Sequence, residues 1–297
     1  MLFRSVVRSR VGLLEVSGGA LLWGTTGVVV REVIIHSGLS PVSAGFYRLA
    51  ISALVLVLVL PRCARGALAA LRQRPLAVIT AGAGLGAYQA LYFIAVQDVG
   101  VSVATLISLG LAPVVLTTVE AIRLRERPTN TTMVTVGAAL LGLALISLGT
   151  GSGSGPRPAI GLLAAAATGL GYAASTALNR RLATTGDPLA LTMSASALGA
   201  LTLAPLAVSD GVSVPIRAIP IIGLAYLGVV ATALAYWLFY RGLRSTRVEV
   251  VAVLTLLEAL AAALLAVLVL HEPMPVAAIV GAALLLLSVA ALYARVP

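Results

Sequence analysis

Apolar residues in this chain do not alternate with polar ones; they continue for about twenty positions and then stop at arginine, proline, glycine or an acid. Ten such runs cover residues 12–34, 42–60, 76–97, 100–122, 132–149, 159–179, 189–208, 218–240, 248–270 and 275–294. Each is close to the roughly 20 residues a helix needs to cross the hydrocarbon core of a bilayer. Pro41, Pro61, Pro75, Pro128, Pro158, Pro188, Pro215 and Pro275 stand at or just outside the run ends, where a missing N–H costs a helix least. The pattern predicts an all-α membrane protein with ten transmembrane helices. The first run follows Arg4, Arg8 and Arg10 as a signal peptide would, yet it continues through Trp23 to Val30 with no small-residue cleavage site. It reads as a retained helix.

Composition sharpens this picture. With 297 residues, 60% of them hydrophobic and only 10% charged, the chain is excluded from the water-soluble class, and the connections are too short to fold as domains. The formal net charge of +10 would suggest nucleic acid in a soluble protein, but all twenty basic residues are arginine and they cluster between the runs. Counting connections alternately, sixteen arginines fall on the side of the N-terminus, three (Arg31, Arg157, Arg217) on the other, and Arg48 lies inside the second run. The positive-inside rule then predicts that both termini are cytoplasmic. Membrane lipid, and no nucleic acid, is the expected surrounding. The single cysteine, Cys63, forms no intrachain disulfide framework.

The chain also resembles itself at an offset of 146: Gly82 meets Gly228, Ala87 meets Ala233, Phe93 meets Phe239, Leu111 meets Leu257 and Glu126 meets Glu272. Gly137 meets Gly281 after a two-residue gap. The expected organisation is a first five-helix unit over 1–149, a Gly/Ser linker over 150–158 and a second five-helix unit over 159–297. Five crossings per unit insert the second unit upside down, giving an inverted repeat. Inverted repeats with a site near the midplane are a transporter architecture.

The WG pair Trp23–Gly24, the LGLAPVVLTTVEAIRLRERPT stretch with Pro113 and Glu126, and its echo LLEALAAALLAVLVLHEPMP with Glu258 and Glu272 carry a family likeness. On these residues the chain resembles the drug/metabolite transporter superfamily in its EamA-type ten-helix branch, and within it the YddG-type amino-acid exporters. The resemblance spans essentially the whole chain. It implies a secondary transporter that exports amino acids, aromatic ones among them, across the bacterial inner membrane, with no cofactor. One departure is that Ala259 replaces the proline typical of the ninth run, opposite Pro113 at the same offset.

Candidate site residues follow from depth. Glu258 lies about eleven residues into its run, where charge is costly unless it faces water, is protonated or is paired. Only 14 residues are Phe, Trp or Tyr, so Trp23, Tyr88, Tyr92, Tyr172 and Trp237 at mid-run positions stand out, as does Gln89 one turn from Tyr92. Rings that stack on an apolar side chain and hydroxyls that orient a zwitterion would suit amino acids or similar small metabolites. An interfacial aromatic belt or plain packing is the competing reading for each ring. Ser108, three residues after Thr105, joins the candidates if its face meets the pocket and otherwise bonds its own backbone. Arg48 reads as an anchor snorkelling outward. Without other mid-run Arg or Lys, a phosphorylated substrate is disfavoured.

No zinc-protease, nucleophile-elbow or phosphate-loop motif is present in the sequence, so the chain is not expected to be an enzyme or to hold a metal. A drug or other metabolite carrier of the same fold is the nearest alternative. A gated channel, and a membrane-embedded enzyme using Glu258, are alternatives from other classes.

Overall fold

The computed structural model describes residues 2–148, 157–270 and 275–294. Its helices in chain order are α1 (Leu2–Gly24), α2 (Thr26–Ser37), α3 (Pro41–Val59), α4 (Pro61–Gln73), α5 (Pro75–Leu124), α6 (Asn130–Leu148) and α7 (Pro158–Thr185). They continue as α8 (Pro188–Asp210), α9 (Ala218–Gly228), a π-helical turn (Val229–Leu234), α10 (Ala235–Leu243), α11 (Val248–Leu254), α12 (Leu257–Leu270) and α13 (Val276–Ala294). Proline opens α3, α4, α5, α7 and α8 at the first helical turn. At α3 and α8 the preceding side chain completes the cap: Ser40 Oγ accepts from Ser43 N–H at 3.0 Å and Asp187 Oδ2 from Ala190 N–H at 3.0 Å.

Among the described residues, nine helical stretches are long and apolar enough to cross a bilayer. The longest, α5, has 50 residues, about 75 Å if straight and far more than a bilayer core of about 30 Å. It is not straight. Gly100, with φ 79° and ψ 163°, breaks it into two arms, and the Tyr92 hydroxyl lies 2.8 Å from Thr105 Oγ1. In one continuous helix those residues would be about 20 Å apart along the axis. The chain therefore reverses at Gly100, as the runs at 76–97 and 100–122 predicted, and the stretches number ten when the two arms are taken separately.

Polarity is distributed as a bilayer requires. Ser43, Ser52, Thr192, Ser196 and Thr232 are at most 1% exposed, whereas Leu58, Ile122, Leu163, Leu268 and Leu287 are each at least 66% exposed. Water would invert that preference. The protein is a multi-pass membrane protein. Its buried hydroxyls are satisfied locally, as where Thr192 Oγ1 donates to Pro188 O at 2.8 Å, or by each other, as in Ser52–Ser196 at 3.0 Å.

The crossings pack in close pairs. Glycine lets α1 approach α10, with Gly12 against Gly242 and Gly19 against Ala235; α6 crosses α13 where Gly142 and Gly281 face each other's carbonyls. Helix α3 lies on α8, and α7 lies between both arms of α5. The Arg241–Glu15 ion pair at 2.8 Å and the Arg74–Thr185 contact at 3.2 Å join crossings at one end of the bundle. Arg157–Asp98 at 3.4 Å and Ser43–Gly211 at 2.7 Å join them at the other.

Three features depart from the sequence reading. Helix α4 was not foreseen: its arginines 62, 65 and 72 break the apolar pattern, and it lies between crossings with Cys63 and Ala67 buried. The ninth run breaks at Thr255 and Leu256 although proline is absent at 259, because Leu256, Glu258 and Ala259 N–H groups bond three residues back rather than four. The first run likewise breaks at Thr25, between α1 and α2. Residues 149–156 of the proposed linker, and His271 and Glu272, lie outside the described residues.

Candidate functional site

These breaks fall where the site is. A cavity of ≈ 410 Å³ lies between α1, α2, α3, both arms of α5, α7, α10 and α12, a size ordinary for small-molecule sites. Its rim residues Gly27, Pro41 and Val101 are exposed and lie toward the end that carries the Gly100 turn, whereas Trp23, Gln89, Ser108 and Tyr236 on its wall are buried. The cavity thus opens toward that end.

Toward the other end it is closed by rings. Trp23 lies 4.9 Å from Tyr236 and 5.2 Å from Phe239 between ring centroids, and Tyr88 meets Tyr172 edge-on at 5.8 Å. The Tyr88 and Tyr236 hydroxyls are 3.2 Å apart and bridge the two sides of this layer. Beneath it a void of ≈ 10 Å³ is bounded by the same five residues together with Ser175, Thr176 and Asn179. The layer separates the large cavity from a narrow seam on the arginine-rich end.

Local structure aims each side chain. The reversal at Gly100 puts Tyr92 and Thr105 on one wall, bonded at 2.8 Å. The tight turn before Glu258 sets that residue at the head of α12, beside Gly24 at the end of α1, and a Cβ on Gly24 would lie 2.7 Å from the Glu258 backbone carbonyl. Glu258 lines the same cavity as Tyr92, Tyr172 and Tyr236.

Seven of the eight residues expected from the sequence line this one cavity: Trp23, Tyr88, Gln89, Tyr92, Ser108, Tyr172 and Glu258. Ser108 does not bond its own helix; its Oγ donates to Ala165 O of α7 at 3.2 Å. Trp237 is placed elsewhere. It is absent from the lining and carries the Arg241 guanidinium 4.7 Å above its ring. The π turn over Val229–Leu234, in which Thr232 Oγ1 reaches Leu227 O at 2.7 Å, inserts an extra residue into the helical phase, and Tyr236 faces the cavity instead. A tyrosine beside the chosen tryptophan was the available signal.

Arg48 is the other correction. It is not an outward anchor: it is half-buried and lines the cavity. The absence of a pathway cation, used above against anionic substrates, therefore does not hold. A charge two turns inside an apolar run was the signal, read for the wrong side of the helix. Four buried polar atoms of the wall have no protein partner: Trp23 Nε1, Thr26 Oγ1, Arg48 Nε and Gln89 Oε1. Buried polar groups are ordinarily satisfied, so these four leave hydrogen-bonding capacity in the residues that surround the cavity.

Comparison with known proteins adds family and fold. The pattern described as the EamA-like transporter family matches residues 10–148 and again 159–294. The chain is 30% identical over 273 residues to "Uncharacterized transporter YwfM" of Bacillus subtilis (strain 168), spanning 90% of this chain and 88% of that protein. A solved chain described as "Crystal structure of protein" shares 22% identity, with a TM-score of 0.76, 94% of this chain covered and 96% of that one. At that identity the likeness speaks for the fold alone.

Proposed function

The chain belongs to the EamA-like transporter family, and on that premise we propose that it is a secondary transporter that exports amino acids, aromatic ones among them, across the bacterial inner membrane by alternating access. The observation that carries this reading is the ≈ 410 Å³ cavity, open at one end, closed at the other by the Trp23, Tyr88, Tyr172 and Tyr236 rings, with Glu258 in its wall. Rings accept an apolar or aromatic side chain, and a carboxylate accepts an ammonium group. A cavity with one mouth is a carrier's geometry, since a channel would need both ends open at once.

Alternation between two mouths is supported by the inverted repeat we infer over 1–149 and 159–297. The family pattern matches each half separately. Packing is also exchanged between halves: α1 lies on α10 and α12 as α7 lies on the two arms of α5, while α3–α8 and α6–α13 join corresponding crossings. Such a pair of halves has two packings of similar energy, one opening to each side. The arginine asymmetry assigns both termini to the cytoplasm, so the state described here faces outward. The aromatic layer is then the inner gate.

The test is counterflow of labelled phenylalanine, threonine and methionine into liposomes holding the purified protein, beside empty liposomes and the Glu258→Gln variant. Saturable counterflow by the wild type is expected, with the variant slower by about tenfold or more, the worth of one charge-assisted hydrogen bond. A folded wild type that exchanges none of the three would sink the amino-acid assignment and turn attention to drugs and other metabolites.

A further inference from the structure

Arg48 meets the aromatic lining at the Tyr236 hydroxyl, and that neutral contact does not account for its charge. Among the described residues it is the single basic group in the cavity wall, as Glu258 is the single acidic one. An arginine at this depth is costly unless paired, yet no ion pair among the described residues joins Arg48 to an acid. Its Nε is buried and unpartnered, and its guanidinium lies beside the Tyr236 hydroxyl. Arg48 and Glu258 line the same cavity with no ion pair between them, which leaves a gap between a basic and an acidic side chain.

The two charged groups of the wall say what would close that gap. The Arg48 guanidinium can only donate, and the Glu258 carboxylate can only accept. A lone cation would satisfy the acceptors and strand the donors; a lone anion would do the reverse. A zwitterion satisfies both. Gly45 keeps the path between Arg48 and Gln89 clear: it lies one turn before Arg48, and a Cβ there would come 3.5 Å from Gln89 Oε1 and 3.2 Å from the Phe93 ring.

Resting on the transport reading above, we propose that Arg48 is the carboxylate-binding residue of the cavity, and that its substrates must carry a free carboxylate and an ammonium group together. The planar guanidinium fork matches a carboxylate through two parallel hydrogen bonds, and Glu258 receives the ammonium. Amines without a carboxylate, which includes most cationic drugs, are rejected because Arg48 would be left without an anionic partner.

The test uses labelled phenylalanine counterflow in proteoliposomes, challenged with unlabelled phenylalanine, phenylethylamine, which lacks the carboxylate, and 3-phenylpropionate, which lacks the ammonium. Each analogue is expected to compete at least roughly tenfold more weakly than phenylalanine. Arg48→Gln is expected to weaken phenylalanine by roughly tenfold to a hundredfold, and Arg48→Lys to retain part of the affinity because it keeps the charge and loses the fork. Phenylethylamine competing as well as phenylalanine, or an Arg48→Gln protein with unchanged apparent affinity, overturns the proposal while leaving amino-acid transport standing. If the variants do not fold, the analogue panel on the wild type decides alone. A wild type that moves no amino acid overturns the transport reading, and this proposal with it.

Discussion

The closest approach between the two walls of the cavity can be tested with a single methyl group. Gly24 ends α1 against the head of α12, where a Cβ would stand 2.7 Å from Glu258 O and closer still to the Ala261 methyl. An ordinary contact is about 3.4 Å, so Gly24→Ala demands that the helices part by about 1 Å at the Ala261 methyl and about 0.7 Å at the Glu258 carbonyl, and neither group can rotate aside. Overpacking of this kind costs about 1–3 kcal/mol. It is offset by the roughly 0.5–1 kcal/mol by which alanine is favoured over glycine in a helix, so the informative comparison is Gly137→Ala in α6, where nothing lies within 4 Å. The propensity gain largely cancels between the two, leaving the packing cost. In detergent, thermal unfolding should place the Gly24→Ala midpoint a few to about ten degrees below that of Gly137→Ala. Adding Ala261→Gly should recover part of the loss, because one of the two clashes disappears. Transport should also fall by roughly tenfold to a hundredfold, since the displaced segments carry Trp23 and Glu258. A Gly24→Ala protein as stable as Gly137→Ala would refute the close approach and the placement of Glu258 that depends on it.

Two further predictions separate neighbouring readings. Tyr236→Phe removes the hydroxyl that meets Tyr88 at 3.2 Å and lies beside Arg48, and should cut phenylalanine counterflow several-fold, by about 1 kcal/mol; Trp237→Phe, outside the lining, should leave the apparent affinity unchanged. Equal effects in the counterflow assay would mean the π turn does not set the phase described. Gly100→Ala places a side chain at φ 79° and ψ 163°, a region open essentially to glycine alone, and should lower stability by about 1–3 kcal/mol in a thermal unfolding assay. A midpoint equal to the wild type's would show that the chain turns elsewhere.

Much of the fold was legible because the bilayer acts as a harsh solvent. Runs of twenty apolar residues have few alternatives to crossing it, and the run edges at 42, 132, 189 and 275 fall within two residues of the helix ends at Pro41, Asn130, Pro188 and Val276. The candidate site was legible for the same reason: polar and aromatic side chains at mid-depth are costly, so Glu258, Gln89 and Tyr88 stood out before any geometry was known. What was illegible was rotation. Choosing Tyr236 over Trp237 requires knowing that a π turn lies upstream, and π turns have no residue signature at the level of a single chain. Placing Arg48 inward required knowing which face of α3 meets Gly228 and α8, which only tertiary packing decides. Helix α4 was missed because its amphipathic, arginine-bearing sequence fits no rule tuned to continuous apolar runs.

The crossing of α6 with α13 has a consequence for how such a protein diversifies. Its two glycines hold the pair backbone to backbone, yet neither helix gives a single residue to the cavity wall. At this crossing, though not at α1–α10, α3–α8 or α5–α7, fastening is separate from selecting. A lineage can change its cargo by substitutions in the cavity-lining helices without renegotiating this one clasp. The clasp, for its part, asks only for smallness at two positions and greasiness elsewhere, so drift there leaves the choice of cargo untouched.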